Sequence, residues 1–268
     1  MKSLNHQITK SSNETNTIFA VNIENLAELF DDGLCLIKPA MQQDVLRFRQ
    51  KKDKHRKLVS SLLLRFLIKN FLNLPEYNLS IDSFGKPHLQ YYPDFQFNMS
   101  HSGDWVVGAV SDKPLGIDIE LIRELNDFIQ DPTDCSKLDQ QILSHSEQKS
   151  FRNKNRFAYM DIAKRFYSEK EYAFLMKCEE KSRLVMFYDI WTKKESLIKA
   201  VGKGLSIPLK SFTVPLESHG RVLYKGNVWR VHSLVFDDKC YKMSLCLLST
   251  RQLFSSVRYV ALNELIKQ

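Results

Sequence analysis

Gly116-Ile117-Asp118-Ile119-Glu120 alternates apolar and acidic residues. Successive side chains on a strand point to opposite faces, so Ile117 and Ile119 share one face while Asp118 and Glu120 share the other. Downstream, Trp191-Thr192-Lys193-Lys194-Glu195-Ser196-Leu197-Ile198-Lys199 has helical spacing and sets Lys199 one turn beyond Glu195. Three acids and a lysine on two well-separated segments suit a magnesium ion and the phosphates it carries.

The flanking chain organises itself around these two segments. Residues 41–72 read as one or two helices, with Val45, Phe48, Leu58, Leu62, Leu63, Phe66 and Leu67 at helical spacing and Pro75 closing the region. Phe84-Gly85-Lys86-Pro87 reads as a turn, Phe95 to Asn98 as a strand and Ser100-His101-Ser102-Gly103 as a loop. Trp105 to Val110 and Leu115 to Glu120 read as strands. Residues 121–160 are largely polar and read as an insertion, followed by helical residues 161–178. A helix over 186–201 carries the apolar stripe Phe187, Ile190, Trp191, Leu197, Ile198 and Val201, and Gly202, Gly204 and Pro208 end it. Residues 211–248 read as several strands with turns at His219-Gly220 and Asp237-Asp238, and 261–267 as a short helix.

Helix then strands, twice over, predicts an α+β fold of two halves meeting at the Asp118/Glu120 strand, with no obvious sequence repeat between them. The expected organisation is a loose polar leader over 1–17, one α+β subdomain over 18–113 and a second over 114–268 that carries the insertion.

With 268 residues, 43% of them hydrophobic, the chain can bury a substantial core. No apolar run approaches the roughly 18–20 residues of a membrane span. The five cysteines are scattered and odd in number, without a CxxC pair. Reduced thiols in a cytoplasmic protein are therefore the expectation, with no disulfide framework or zinc site. The formal charge of +8 favours an acidic partner without choosing among nucleic acid, phosphorylated ligands and an acidic protein.

Each piece has a plainer explanation when taken singly. Asp118 and Glu120 suit the solvent face of an edge strand, and Glu195 with Lys199 suits an i,i+4 ion pair of about 0.3–0.5 kcal/mol. His101 suits a turn residue, Lys86 an exposed turn lysine, and the basic run 51–57 a solvated helix face. No GxSxG elbow supports a Ser/His hydrolase.

The ordered set is more specific. The chain reads FGKP, FNMSHSGDWVVGAV, PLGIDIE, IAKRFYSEKEY and WTKKESLIKAVGKGLSIPL in succession. From about Arg56 to about Val214 it resembles the Sfp-type 4′-phosphopantetheinyl transferases. Such enzymes move the phosphopantetheine arm of coenzyme A onto a serine of an acyl or peptidyl carrier protein and release adenosine 3′,5′-bisphosphate. The resemblance implies that Asp118, Glu120 and Glu195 hold Mg²⁺ against the pyrophosphate. Glu195, or a water near it, is then the candidate base, and Lys199 contacts the pyrophosphate and stabilises the leaving phosphate. Arg56, Lys86, Ser100 and His101 match positions around the coenzyme's nucleotide and its 3′-phosphate. Trp191 and Phe166 are expected to build the core around Glu195.

The resemblance implies two similar α+β halves in a pseudo-twofold arrangement with the active site at their interface, and an acidic carrier protein as partner. The length, which holds both halves of the motif set in one chain, gives the expectation of a monomer; a cytoplasmic enzyme with no nucleic acid and no membrane partner completes the expectation. The chain departs from the family pattern at Met41-Gln42-Gln43-Asp44, where some members place two lysines; Lys51, Lys52 and Lys57 are the candidates to replace them. It departs again after Glu120, where roughly forty residues replace a short connection; residues 121–160 are a candidate determinant of partner choice, with a disordered surface insertion as the alternative. The rival readings are a different Mg-dependent phosphotransferase or phosphohydrolase, a basic nucleic-acid-binding protein using 51–57, and a relative that only binds.

Overall fold

The computed structural model describes residues 17–123, 158–236, 238–249 and 256–267. Most of the segment read as an insertion, and the leader up to residue 16, lie outside the described residues.

Two four-stranded sheets and two 22-residue helices dominate the described residues. The first sheet has the order β10-β1-β5-β4, from β1 (Ile18–Asn22), β4 (Gln96–Ser102), β5 (Trp105–Ser111) and β10 (Val257–Tyr259). The second has the order β6-β9-β8-β7, from β6 (Leu115–Leu121), β7 (His219–Tyr224), β8 (Asn227–Leu234) and β9 (Tyr241–Leu248). A small hairpin of β2 (Leu79–Ile81) and β3 (Pro87–Leu89) stands apart.

The helices are α1 (Phe30–Cys35), α2 (Pro39–Leu46), α3 (Lys51–Leu72), α4 (Ala158–Phe166), α5 (Glu169–Lys177), α6 (Glu180–Val201) and α7 (Leu262–Ile266). The α+β class is the one expected. The 41–72 region divides into α2 and α3, and the 161–178 region into α4 and α5. The second division falls at Ser168, whose side chain and that of Glu171 cap the start of α5 reciprocally.

Three apolar clusters order these elements into layers. Leu58, Leu62, Leu63, Phe66 and Leu67 of α3 pack on Phe19, Val21, Phe97, Val106 and Val110, which is one face of the first sheet. The opposite face, Ile18, Ala20, Val107 and Ala109, packs on Leu115, Ile117, Ile119, Met243, Leu245 and Leu247 of the second sheet. Beyond it, Phe187, Ile190, Leu197 and Ile198 of α6 pack on Val222, Trp229, Val231 and Cys246. The order is helix, sheet, sheet, helix. Strand alternation sends odd and even residues of β5 and of β9 into different clusters, and burial of both faces explains why β5 is apolar almost throughout.

Three local readings differ. Ser100-His101-Ser102 is not a loop; it is the end of β4, paired residue for residue with Trp105 to Val107. The turn expected at His219-Gly220 lies instead at Lys225-Gly226, both at positive φ, where a two-residue hairpin joins β7 to β8. The chain's end also crosses back. β10 pairs in parallel with β1, and Val260 and Leu265 enter the α3 cluster, so the last strand and helix of the 114–268 half complete the first half.

Candidate active site

The site grows from the place where the two sheets meet along β4 and β6. These strands share no backbone ladder; side chains of β4 replace it. Asn98 Oδ1 accepts from Ile117 N at 2.8 Å, Ser100 Oγ from Ile119 N at 3.4 Å and Ser102 Oγ from Leu121 N at 3.0 Å. The two hydroxyls then donate onward, Ser100 to Asp118 Oδ1 at 2.9 Å and Ser102 to Glu120 Oε2 at 2.9 Å. Strand alternation makes this possible. Phe97 and Met99 belong to the α3 side, while Asn98, Ser100 and Ser102 lie on the side facing the second sheet.

Helix α6 closes the site from the other side. A Cβ on Gly116 would stand 2.1 Å from Ser196 O and 2.4 Å from Ala200 N, so only glycine lets the helix backbone rest on β6. That contact carries Glu195 and Lys199 to the acids. Lys199 Nζ donates to Asp118 Oδ1 at 2.6 Å, to Ser100 Oγ at 3.0 Å and to Ile117 O at 3.3 Å. Thr192 Oγ1 and Ser244 Oγ, 2.8 Å apart, tie the helix to β9.

Two buried lysines anchor α6 beside Glu195. Lys194 Nζ pairs with Glu171 Oε2 at 2.8 Å and donates to Leu209 O and Phe212 O, both at 2.8 Å. Glu171 Oε1 accepts from Val214 N at 2.8 Å, so the residue that caps α5 also fixes α6. Lys193 Nζ pairs with Asp189 at 2.7 Å and donates to Pro215 O and Glu217 O. Phe166 and Phe187 pack against Trp191, the core role expected for Phe166 and Trp191.

The electrostatics of the acids suit a cation. Asp118 is buried, and its Oδ2 has no hydrogen-bond partner. Burial pushes its carboxyl upward against the pull of Lys199 and Ser100. Glu120 is raised to about 7 by burial and then by Asp118. Glu195 is likewise raised to about 7, by burial and then by Asp118. Asp118 raises both glutamates, and its own buried oxygen is orphaned, so the three carboxylates form a set that a divalent ion would relieve. Among the described residues no three or more His, Cys, Asp or Glu side chains are gathered into a cage that could hold a metal ion by themselves. A magnesium site completed by substrate phosphate oxygens and water needs no such cage.

The other expected residues fall around this centre. His101 is exposed near the end of β4, and its pKa is lowered by the protein packed behind it, then by Arg56 and Lys199. Arg56 on α3 donates from Nε to Gly103 O at 2.9 Å and pairs with Asp53 at 2.7 Å. It therefore holds the turn that follows His101. Tyr241 Oη accepts from Asp104 N at 3.0 Å on the same turn. Lys86 lies elsewhere. Its Nζ donates to Lys199 O at 2.8 Å, Leu115 O at 3.2 Å and Ala200 O at 3.4 Å, where the last carbonyls of α6 attract a cation. Lys86 also lines a cavity of about 320 Å³ with Asp82, His88, Tyr92, Phe95 and Gly202. Of the three candidates to replace the upstream lysines, Lys52 pairs with Asp104 at 2.9 Å.

The sequence reading missed Asn98 and Ser102. Their signal was the alternation of small polar residues at 98, 100 and 102, hidden by reading the second half of that stretch as a loop. Nothing local marked Glu171, whose part in the site depends on a lysine 23 positions away.

The fold and site are those of an α+β enzyme with an acidic, lysine-bearing centre between two sheet-and-helix halves. Residues 114–246 match the profile of the 4′-phosphopantetheinyl transferase superfamily, and residues 26–113 that of a 4′-phosphopantetheinyl transferase N-terminal region. The chain is 32% identical to the 4′-phosphopantetheinyl transferase gsp of Aneurinibacillus migulanus, over 84% of this chain and 79% of that protein. It is 34% identical to the 4′-phosphopantetheinyl transferase Sfp of Bacillus subtilis, over 80% and 83% of the two chains. An L-aminoadipate-semialdehyde dehydrogenase-phosphopantetheinyl transferase of Xenopus laevis is 28% identical over 76% and 61%. The chain belongs to the 4′-phosphopantetheinyl transferase superfamily and is a transferase of the Sfp type. No helix among the described residues is long and apolar enough to cross a membrane.

Proposed function

We propose that this protein moves the 4′-phosphopantetheine arm of coenzyme A to a serine hydroxyl of an acyl or peptidyl carrier protein, releasing adenosine 3′,5′-bisphosphate. The observation that carries the reading is the convergence of Asp118, Glu120, Glu195 and Lys199 across the β6–α6 contact. Asp118, Glu120 and Glu195 would hold the Mg²⁺, which supplies charge neutralisation at the pyrophosphate and polarises the attacked phosphorus.

Lys199 spans Asp118 and Ser100 and can meet a pyrophosphate oxygen, so it compensates charge on the leaving group. The carrier serine's oxygen forms the new P–O bond as the bond to the nucleotide phosphate breaks. Its proton passes to Glu195 or to a water beside it. Arg56 supplies the positive charge of a rim suited to the coenzyme's 3′-phosphate, and His101, kept neutral by its lowered pKa, can donate a hydrogen bond there. Lys86 supports the site indirectly, by holding the C-terminal turn of α6 that carries Lys199. The formal charge of +8 favours encounter with an acidic carrier.

Intact-protein mass spectrometry tests this directly. The protein is mixed with coenzyme A, Mg²⁺ and a panel of apo carriers, with an EDTA control. Metal-dependent gain of about 340 Da on a carrier, the mass of one transferred arm, is expected. Absence of gain on every carrier together with absence of coenzyme A binding would overturn the proposal.

A further inference from the structure

We propose that Ser102 is a positioning residue that orients Glu120 toward the cation and leaves one of its carboxylate oxygens free to bind it. The inference rests on the magnesium reading above and goes beyond it by assigning a role to a residue on the facing strand.

The argument concerns where one proton points. A serine hydroxyl has a single O–H to give and lone pairs to receive. Leu121 N donates to Ser102 Oγ at 3.0 Å, so an acceptor site on that oxygen is taken by the backbone of β6. The O–H is then directed to Glu120 Oε2 at 2.9 Å. Glu120 therefore has Oε2 committed to the seam and Oε1 uncommitted. The neighbouring pair repeats the arrangement. Ser100 receives from Ile119 N and gives to Asp118 Oδ1, and Asp118 Oδ2 remains buried without a partner.

In both units the serine bonds its acid, 18 positions on, and the amide that follows that acid. Two carboxylates, each with one oxygen tethered and one open, are set up to bind singly, as a small octahedral cation held largely by phosphates and water requires. Asp118 is also fixed by Lys199, whereas Ser102 is the hydrogen-bond partner of Glu120 among the described residues. The third rung of the seam supplies a control. Asn98 accepts from Ile117 N at 2.8 Å and touches neither acid.

The test compares wild-type protein with Ser102→Ala, Ser102→Thr and Asn98→Ala. Free Mn²⁺ is read by its paramagnetic resonance signal, with and without coenzyme A, and coenzyme A KM is measured at saturating Mg²⁺. Loss of a group that orients a metal ligand typically weakens metal binding about 10–100-fold. Ser102→Ala should fall in that range for Mn²⁺, with coenzyme A KM at saturating metal nearly unchanged. Ser102→Thr, which keeps the hydroxyl, should restore Mn²⁺ affinity. Asn98→Ala should lower stability and leave Mn²⁺ affinity as in wild type.

Equal Mn²⁺ affinity in wild type and Ser102→Ala overturns the role, as does an equal loss in Asn98→Ala, which would mean that the seam is merely loosened. Wild-type protein that binds no Mn²⁺ with coenzyme A overturns the magnesium reading as well. If Ser102→Ala does not fold, Ser102→Cys, of similar size but a weak donor, is read in its place by the same criteria.

Discussion

Gly116 and Ser196 touch backbone to backbone: a Cβ on Gly116 would lie 2.1 Å from the Ser196 carbonyl oxygen. Glu195 precedes that serine and Lys199 follows one turn later, so this contact sets the distance between the helical and strand-borne parts of the site. Gly116→Ala must push α6 away from β6, because the obstructing atoms are backbone and cannot rotate aside. Overpacking of this kind costs about 1–3 kcal/mol, occasionally more. Urea denaturation should show that loss, and transfer activity should fall further than stability accounts for.

Asp118 and Lys199 should respond unequally to removal of the partner. Their side chains are 5% and 28% exposed. Breaking a buried pair costs about 3–5 kcal/mol because one charge is left without compensation. Lys199 left alone can reach water; Asp118 left alone cannot. Near neutral pH, Lys199→Met should therefore destabilise more than Asp118→Asn. Both should abolish transfer, and full activity of Asp118→Asn at saturating Mg²⁺ would remove Asp118 from the metal-binding set.

Glu171 and Lys194 make a sharper case, since both side chains are fully buried. Glu171→Gln leaves the ammonium against two carbonyls and the Phe212 ring, at a cost of about 3–5 kcal/mol. The double variant Glu171→Gln/Lys194→Met should recover a large part of that loss, measured by urea midpoint. A double variant less stable than the single one would refute the account in terms of uncompensated charge.

Lys86 gives a pH dependence. Burial lowers its pKa from 10.5 to about 8. Below about 8 the ammonium is charged in both states and the full cost of burying it applies. Between about 8 and 10.5 the unfolded chain binds a proton that the folded chain does not, so stability contributed at this site rises with pH. Relative to Lys86→Met, wild type should gain about 1.6 kcal/mol between pH 8 and pH 9.5, because the slope reaches its full value of about 1.4 kcal/mol per unit only above the folded pKa. Urea denaturation of both proteins at the two values measures it, and a flat difference would contradict the burial of a titrating amine.

His101→Ala should raise coenzyme A KM with a smaller loss of kcat, because His101 is an exposed residue that feels the Arg56 charge and has no place in the proposed metal set. Steady-state kinetics separate the two. A pure kcat effect with unchanged KM would contradict a phosphate contact.

Much of the molecule was legible from local pattern. Alternation over 116–120 put Ile117 and Ile119 between the sheets and both acids on the opposite side, and the stripe over 186–201 put Glu195 and Lys199 on one helix. These features repeat every two or nearly four residues, so nearest neighbours in the chain determine them. What tertiary structure alone decided is where side chains from distant segments meet. The facing of Ser100 and Ser102 toward β6 requires two sheet edges to approach. The backbone contact at Gly116 requires a helix from 80 residues away. The Glu171–Lys194 pair requires a helix cap and a helix face to be buried together. The return of Val257–Tyr259 to pair with β1 requires the whole chain to have folded. A hydroxyl, a glycine hydrogen or a carboxylate has the same local preferences wherever it lies; its role comes from the partner that burial forces it to find.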